Sequence, residues 1–195
     1  MSKAARQKRC SWCGKDALYV AYHDQEWGVP LHDEQKLFEF LILEGAQAGL
    51  SWLTILKKRD AYRKAYYQFD IEKVARFNSR SIERLMNNSG IVRNRLKIEA
   101  SINNARAFLE VQNEFGSFDK FIWQYVDHQA IQNQWKRLRD IPTSTRESEQ
   151  MSEDLQQRGF RFVGPTICYA FMQAVGMVND HVTGCFRHKQ VARSK

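Results

Sequence analysis

From Phe40 to Leu56 the chain carries a single charged side chain, Glu44. The stretch is too short for a comfortable membrane span, and Gln47 and two glycines interrupt it, so a transmembrane helix is rejected. It belongs in the core of a folded protein, and Glu44 goes there with it. Burying a carboxylate without a partner costs several kcal/mol or more. Glu44 is therefore expected either to be satisfied by backbone amides, such as those of a helix opening at Ser51, or to await a charged ligand.

Helical periodicity surrounds this stretch. Asp33 is placed to cap a helix through about Ala48, with Leu37, Leu41, Glu44 and Ala48 recurring on one face. Gly49 can end that helix in the left-handed conformation, and Ser51 can cap the next, "SWLTILKKRDAYRKAYY". Further helical segments follow in "IEKVARF", "SIERLMNN", "RNRLKIEASINNARAFLEVQNEF" and "FDKFIWQYV". A capping box in Ser144 and Glu147 opens another that stops at Gly159, and Pro165 suits the first turn of the apolar "PTICYAFMQAVGMV". Period-two alternation is confined to the short "RGFRFVG". The expectation is an all-α protein.

At 195 residues the chain can bury a real core as one unit. Thirty Lys and Arg against 22 Asp and Glu give a net charge of +8, which favours a polyanionic partner, nucleic acid ahead of a membrane surface. No apolar run follows "MSKAARQKRC", so no signal peptide is expected. Four cysteines do not make a disulfide scaffold, and a reducing cytoplasm leaves their thiolates free for metal.

Two places suggest specific chemistry. Cys10 and His23 lie near the start of the chain, while His181 and Cys185 lie near its end in "NDHVTGC". Two such pairs would complete a tetrahedral zinc shell with no open position, a structural clasp rather than a water-activating centre. Cys13, in the sequence Cys10-Ser-Trp-Cys13, could instead supply a sulfur. Cys168, in an apolar helix, reads as core. The second place is "SIERLMNNSGIVRNRLKI", a helix, a tight turn at Gly90 and a second helix opening with Arg93, Arg95 and Lys97. Turn amides and a helix N-terminus can hold a DNA phosphate. Val92 stands where a second glycine is usual in such hairpins, and a plain helical corner fits the pattern equally.

The stretches "LYVAYHDQEWGVP", "LEGAQAGLSWLTILKKR", "GIVRNRLKI", "RGFRFVGPTICYAFMQA" and "NDHVTGC" together resemble the 3-methyladenine DNA glycosylase I family. The likeness runs from about Arg9 to Cys185 and leaves out the first eight residues and the tail "FRHKQVARSK". It implies a helix-hairpin-helix glycosylase fold in two closely packed lobes. Residues 1–32 and 140–195 would form a zinc-containing lobe, and 33–139 would hold the hairpin. It assigns one structural zinc to Cys10, His23, His181 and Cys185, and leaves Cys13 a bystander. The base pocket falls on Glu44, Tyr22 and Trp52, with Tyr19 and Trp27 nearby. Gly49 and Leu50 take the place of the family's wedge, which fills the gap left by an extruded nucleotide.

The implied partner is double-stranded DNA containing alkylated bases, handled by a monomer away from membranes, with free 3-methyladenine as product. Gly90, Arg93 and Lys97, together with Lys57, Lys58 and Arg59, are the expected DNA contacts. The family lacks the aspartate that many hairpin glycosylases use after the hairpin, and nothing in the setting of Glu114 or Asp119 marks either as its substitute. Two other readings are a zinc-containing basic DNA-binding protein without catalysis, and a zinc hydrolase or deaminase. The first leaves Glu44 without a purpose. The second needs an open metal position and an H-x-E arrangement, which the sequence lacks.

Overall fold

The computed structural model describes residues 7–193. Ten α-helices lie within them: α1 Ala17–Gln25, α2 Glu34–Gln47, α3 Trp52–Ala65, α4 Ile71–Ala75, α5 Ser79–Met86, α6 Arg95–Phe115, α7 Phe118–Trp123, α8 Arg146–Gln157, α9 Pro165–Ala174 and α10 Phe186–Val191. None is long and apolar enough to cross a membrane. Each of the first eight is capped by an Asp, Asn, Ser or Thr side chain that accepts a first-turn N–H. Asp33 caps α2, Gly49 turns with φ +78°, and Ser51 caps α3, so the turn after Glu44 is built as its residue types require.

Helix α2 is the axis of the molecule. Every residue from Leu37 to Ala46 is buried, so the helix is enclosed on all sides rather than presenting one apolar face. It packs against α3, α6, α7 and α9. Around it lie rings such as Phe38, Phe69, Phe108 and Phe118, each essentially without exposure. Phe108 and Phe118 stack 4.0 Å apart, and Phe38 meets Phe108 edge-on at 5.4 Å.

Two local expectations are corrected. The capping box opening α8 is formed by Thr145 and Ser148, one residue later than Ser144 and Glu147; the Ser144 hydroxyl donates instead to Glu149 at 3.0 Å. Helix α3 ends at Ala65 and not at Tyr67, because Tyr67, Gln68 and Phe69 all take positive φ in a tight turn. The alternating "RGFRFVG" forms no strand. The Asn104 side chain donates to the Arg161 carbonyl and accepts from the Arg161 N–H, so one amide does the work of a neighbouring strand. The described strands are two-residue segments, β1 Ile131–Gln132 and β2 Val178–Asn179, paired in parallel. Neither shows the alternation that would reveal it in sequence.

The two ends of the described chain meet. Phe186 donates its N–H to the Lys8 carbonyl at 2.9 Å, and Leu31 donates to Val175 at 3.1 Å. Gly176, which follows α9, has φ +73°, and a Cβ there would lie 2.3 Å from the Val29 carbonyl carbon. Gly176→Ala is therefore expected to cost about 3 kcal/mol or more in denaturant melts, from backbone collision added to an unfavourable φ. Gly159→Ala, at φ +85° with open space around it, should cost about 1 kcal/mol.

Candidate active site and metal cluster

A cavity of about 200 Å³ opens beside the C-terminal end of α2. Glu44, Tyr19, Tyr22, Trp27 and Trp52 all line it. So do Trp12, Gln47, Ile141, Ala170 and Gln173, which sequence reasoning did not single out. The rings form a continuous wall: Tyr22 lies 5.5 Å from Trp52, while Trp12 lies 4.9 Å from both Tyr19 and Trp27. Phe40 backs the wall, stacked at 6.5 Å on Trp52.

Glu44 is 4% exposed, and no protein donor hydrogen-bonds to its carboxyl group among the described contacts. The Ser51 amide region does not satisfy it; Ser51 and Thr54 are occupied with each other, their hydroxyls 2.8 Å apart. Burial pushes the Glu44 carboxyl up from 4.5 to about 8, with no countervailing cation. The Trp52 indole N–H is also buried without a partner, although its ring lines the cavity.

Glu39, five residues earlier on the same helix, shows the opposite solution. It is as deeply buried but accepts from Arg59 Nε at 2.6 Å and from Arg63 Nε at 3.0 Å. Arg59 also donates to Glu26 at 2.7 Å and is only 7% exposed. Arg59 is thus spent inside the protein and is withdrawn as a phosphate contact.

Adjacent to the cavity, Cys10, His23, His181 and Cys185 converge, all buried, with their ligand atoms within 4.8 Å of one another. The Cys185 sulfur lies 3.5 Å from His23 Nε2 and 3.7 Å from His181 Nδ1, and the Cys10 sulfur lies 3.7 Å from His181 Nδ1. Zinc bonds of about 2.0–2.3 Å place tetrahedral donors roughly 3.3–3.8 Å apart, so the set fits such an ion. The far ring nitrogens are held too: His23 Nδ1 by Asp24 at 2.7 Å and His181 Nε2 by the Trp27 carbonyl at 3.0 Å. Arg9 in turn binds Asp24 with two nitrogens. Cys13 stays outside, its thiol donating to the Cys10 carbonyl, and Cys168 is buried against Val163.

The hairpin of α5 and α6 is present, but several expected contacts are already occupied. The Gly90 N–H donates to the Asn88 side chain at 2.8 Å, and a Cβ at Gly90 would lie 2.7 Å from Ala61, so close packing on α3 explains this glycine. Lys97 Nζ donates to the carbonyls of Ala46 and Ala48, tying the end of α2 to α6. Lys58 donates to Ser89, and Lys57 pairs with Asp16 at 3.2 Å. Arg93 and Leu50 remain exposed.

A carboxyl without a partner in an aromatic cavity, in a helical protein with a basic hairpin and a buried Cys2His2 set, is an arrangement that a flat cationic ring would complement. The family model for methyladenine glycosylase matches residues 12–188. The chain belongs to that family. It is 54% identical over 178 residues to DNA-3-methyladenine glycosylase 1 of Escherichia coli strain K12, covering 91% of this chain and 95% of that one. It is 49% identical to DNA-3-methyladenine glycosylase of Haemophilus influenzae, covering 91% and 96%. A crystal structure of 3-methyladenine DNA glycosylase I superposes with TM-score 0.90 at 54% identity, covering 92% of this chain and 98% of that one. The Staphylococcus aureus enzyme, solved for the structural basis of 3-methyladenine recognition, gives 0.89 at 43% identity, covering 91% and 95%.

Glu44 should weaken the fold that contains it. Between about pH 4.5 and 8 the folded chain holds a proton that the unfolded chain releases, so the carboxyl's contribution to stability falls as pH rises through that window. Glu44→Gln does not titrate. Denaturant melts of the two proteins are expected to coincide near pH 4.5 and to diverge by pH 8, with the variant more stable by up to a few kcal/mol.

Proposed function

We propose that the chain excises 3-methyladenine from alkylated DNA, hydrolysing the N-glycosidic bond to leave an abasic site. The observation that carries this reading is the buried, unpartnered Glu44 within a ring-walled cavity, in a chain of the methyladenine glycosylase family. Methylation at N3 makes adenine a delocalised cation and weakens its bond to the sugar. A cation supplies what Glu44 lacks: on its arrival the carboxyl gives up its proton and becomes a charged acceptor for the base's N–H edge. Tyr22 and Trp52 lie against the ring, where a desolvated cation over an aromatic face gains about 2 kcal/mol. Normal bases are neutral and bring nothing to offset the burial of a carboxylate.

Extruding the nucleotide costs a few kcal/mol, least for a damaged base. Leu50, exposed at the turn following α2, would fill the gap, with Arg93 and the start of α6 on the phosphate backbone. Lys97 would act from behind, by fixing that turn. Water then takes the C1′ position as the base departs with the bonding pair. The cavity lining includes no lysine to form a Schiff base with the sugar, so no strand cleavage follows.

The Cys2His2 set would hold one zinc, and four protein donors leave no position for substrate or water. Its chemistry is structural: His23 and His181 fix the ends of the chain against the cavity wall. The protein would act on DNA as a monomer in the cytoplasm. A DNA-binding role without catalysis would explain the charge and the hairpin but not an unpartnered carboxyl in a cavity.

Two outcomes are expected. At DNA concentrations well below saturation, release of labelled 3-methyladenine from methylated duplex should fall at least a hundredfold in Glu44→Gln while the circular dichroism and metal content stay unchanged; equal release by both proteins would refute the electrostatic reading. Metal analysis should find about one zinc per chain, and His181→Ala should lower the melting temperature by more than about 5 °C.

A further inference from the structure

Gln173 is a polar residue on the apolar helix α9, and its side chain lines the same cavity as Glu44. Its amide nitrogen donates to Asp180 Oδ2 at 2.7 Å. Asp180 is fully buried and surrounded by donors: Tyr169 reaches the same oxygen at 2.6 Å, while Trp135 Nε1 at 2.8 Å and Asn133 Nδ2 at 2.7 Å reach the other. An indole N–H can only donate, so the carboxyl is held as an acceptor. An amide ordinarily has two orientations related by a flip. Here the flipped form would set the Gln173 oxygen against a carboxylate oxygen, and Asp180 therefore fixes which end of the amide faces it. The free end is Oε1, to which no protein donor is bonded among the described contacts.

We infer that Gln173 is a specificity-determining residue: its oxygen, locked as an acceptor by Asp180, reads an N–H on the edge of the bound base and rejects a carbonyl there. The inference rests on the base-pocket reading above and sharpens it. Glu44 answers to the charge that any N3-methylated purine carries while bonded to its sugar, and accepts one N–H of the amine. A fixed neutral acceptor takes the second N–H of that amine, which adenine carries where hypoxanthine and guanine carry oxygen. Two acceptors together accommodate a cationic ring with an amino group and oppose a cationic ring with a carbonyl, because opposed lone pairs leave a buried acceptor unpaired. Asp180 is a positioning residue and touches no substrate.

The test is competitive binding of free 3-methyladenine and 3-methylhypoxanthine to the intact, metal-loaded protein, which differ at that edge by an amine against an oxygen. Wild type is expected to prefer 3-methyladenine, and Gln173→Met, close in volume and lacking the acceptor, to lose about tenfold of that preference. Asp180 keeps three donors in this variant, so its melting temperature and metal content should change little. Gln173→Asn, whose shorter side chain cannot reach Asp180 and the cavity together, should lose the preference as well. Wild-type preference in either folded variant overturns the inference and leaves the base pocket standing. A wild-type protein that releases no 3-methyladenine from methylated duplex, where the base is still cationic, overturns the pocket reading and this inference with it.

Discussion

A carboxyl group buried in the last turn of the central helix, with no cation of its own, is the constraint to which the surrounding structure answers. Helix α2 carries two buried glutamates and treats them differently. Glu39 is neutralised by Arg59 and Arg63, and Arg59 is held by Glu26 as well. Glu44 has instead a cavity and a wall of rings. An arginine reaching into that cavity would offset the cost of burying the carboxyl. The lining residues include none. The groups are arranged for a visitor rather than for the stability of the empty protein.

The Cys2His2 set and the cavity are one construction. Tyr22 lines the cavity and its neighbour His23 belongs to the set; Asp180 holds Gln173 and its neighbour His181 belongs to it too. Trp27 contributes a ring to the wall and its carbonyl to His181. The walls include α1, the segment after it and α9, elements far apart in sequence that meet at these four side chains. An ion held there, as proposed, would matter for recognition while touching no substrate.

Much of this was legible in sequence because it rests on local chemistry. Asp33, Gly49 and Ser51 announce the ends of α2 and α3, and a lone charge in an uncharged run announces Glu44. Gln173 gives a weaker form of that signal, a polar side chain in "ICYAFMQAV", but glutamine is too often merely solvated for it to stand out. Trp12 was hidden within the Cys10–Cys13 spacing, where attention falls on sulfur. Arg59 looked like a surface cation in "LKKRD" because its partners Glu26 and Glu39 are distant in sequence. The alternation in "RGFRFVG" leads to no strand for a related reason: the partner its backbone found was the Asn104 side chain, which no periodicity reveals.

In the proposed reaction the charge on the base does not stay where Glu44 would meet it. As the glycosidic bond breaks, the bonding electrons pass to the departing ring, which becomes neutral, and positive charge builds at the sugar. The attraction between Glu44 and the base would therefore be strongest before the reaction and weakest after it. An interaction of that kind selects a substrate but does not by itself lower the barrier. Speed must come from the lability that methylation has already given the bond, together with the geometry of extrusion. The same shift of charge eases release: beside a neutral ring, burial again favours the protonated carboxyl, which takes back a proton and loosens its hold on the product. A carboxyl that titrates near neutral pH can change state at each of these steps, which one permanently paired with an arginine, as Glu39 is, could not do.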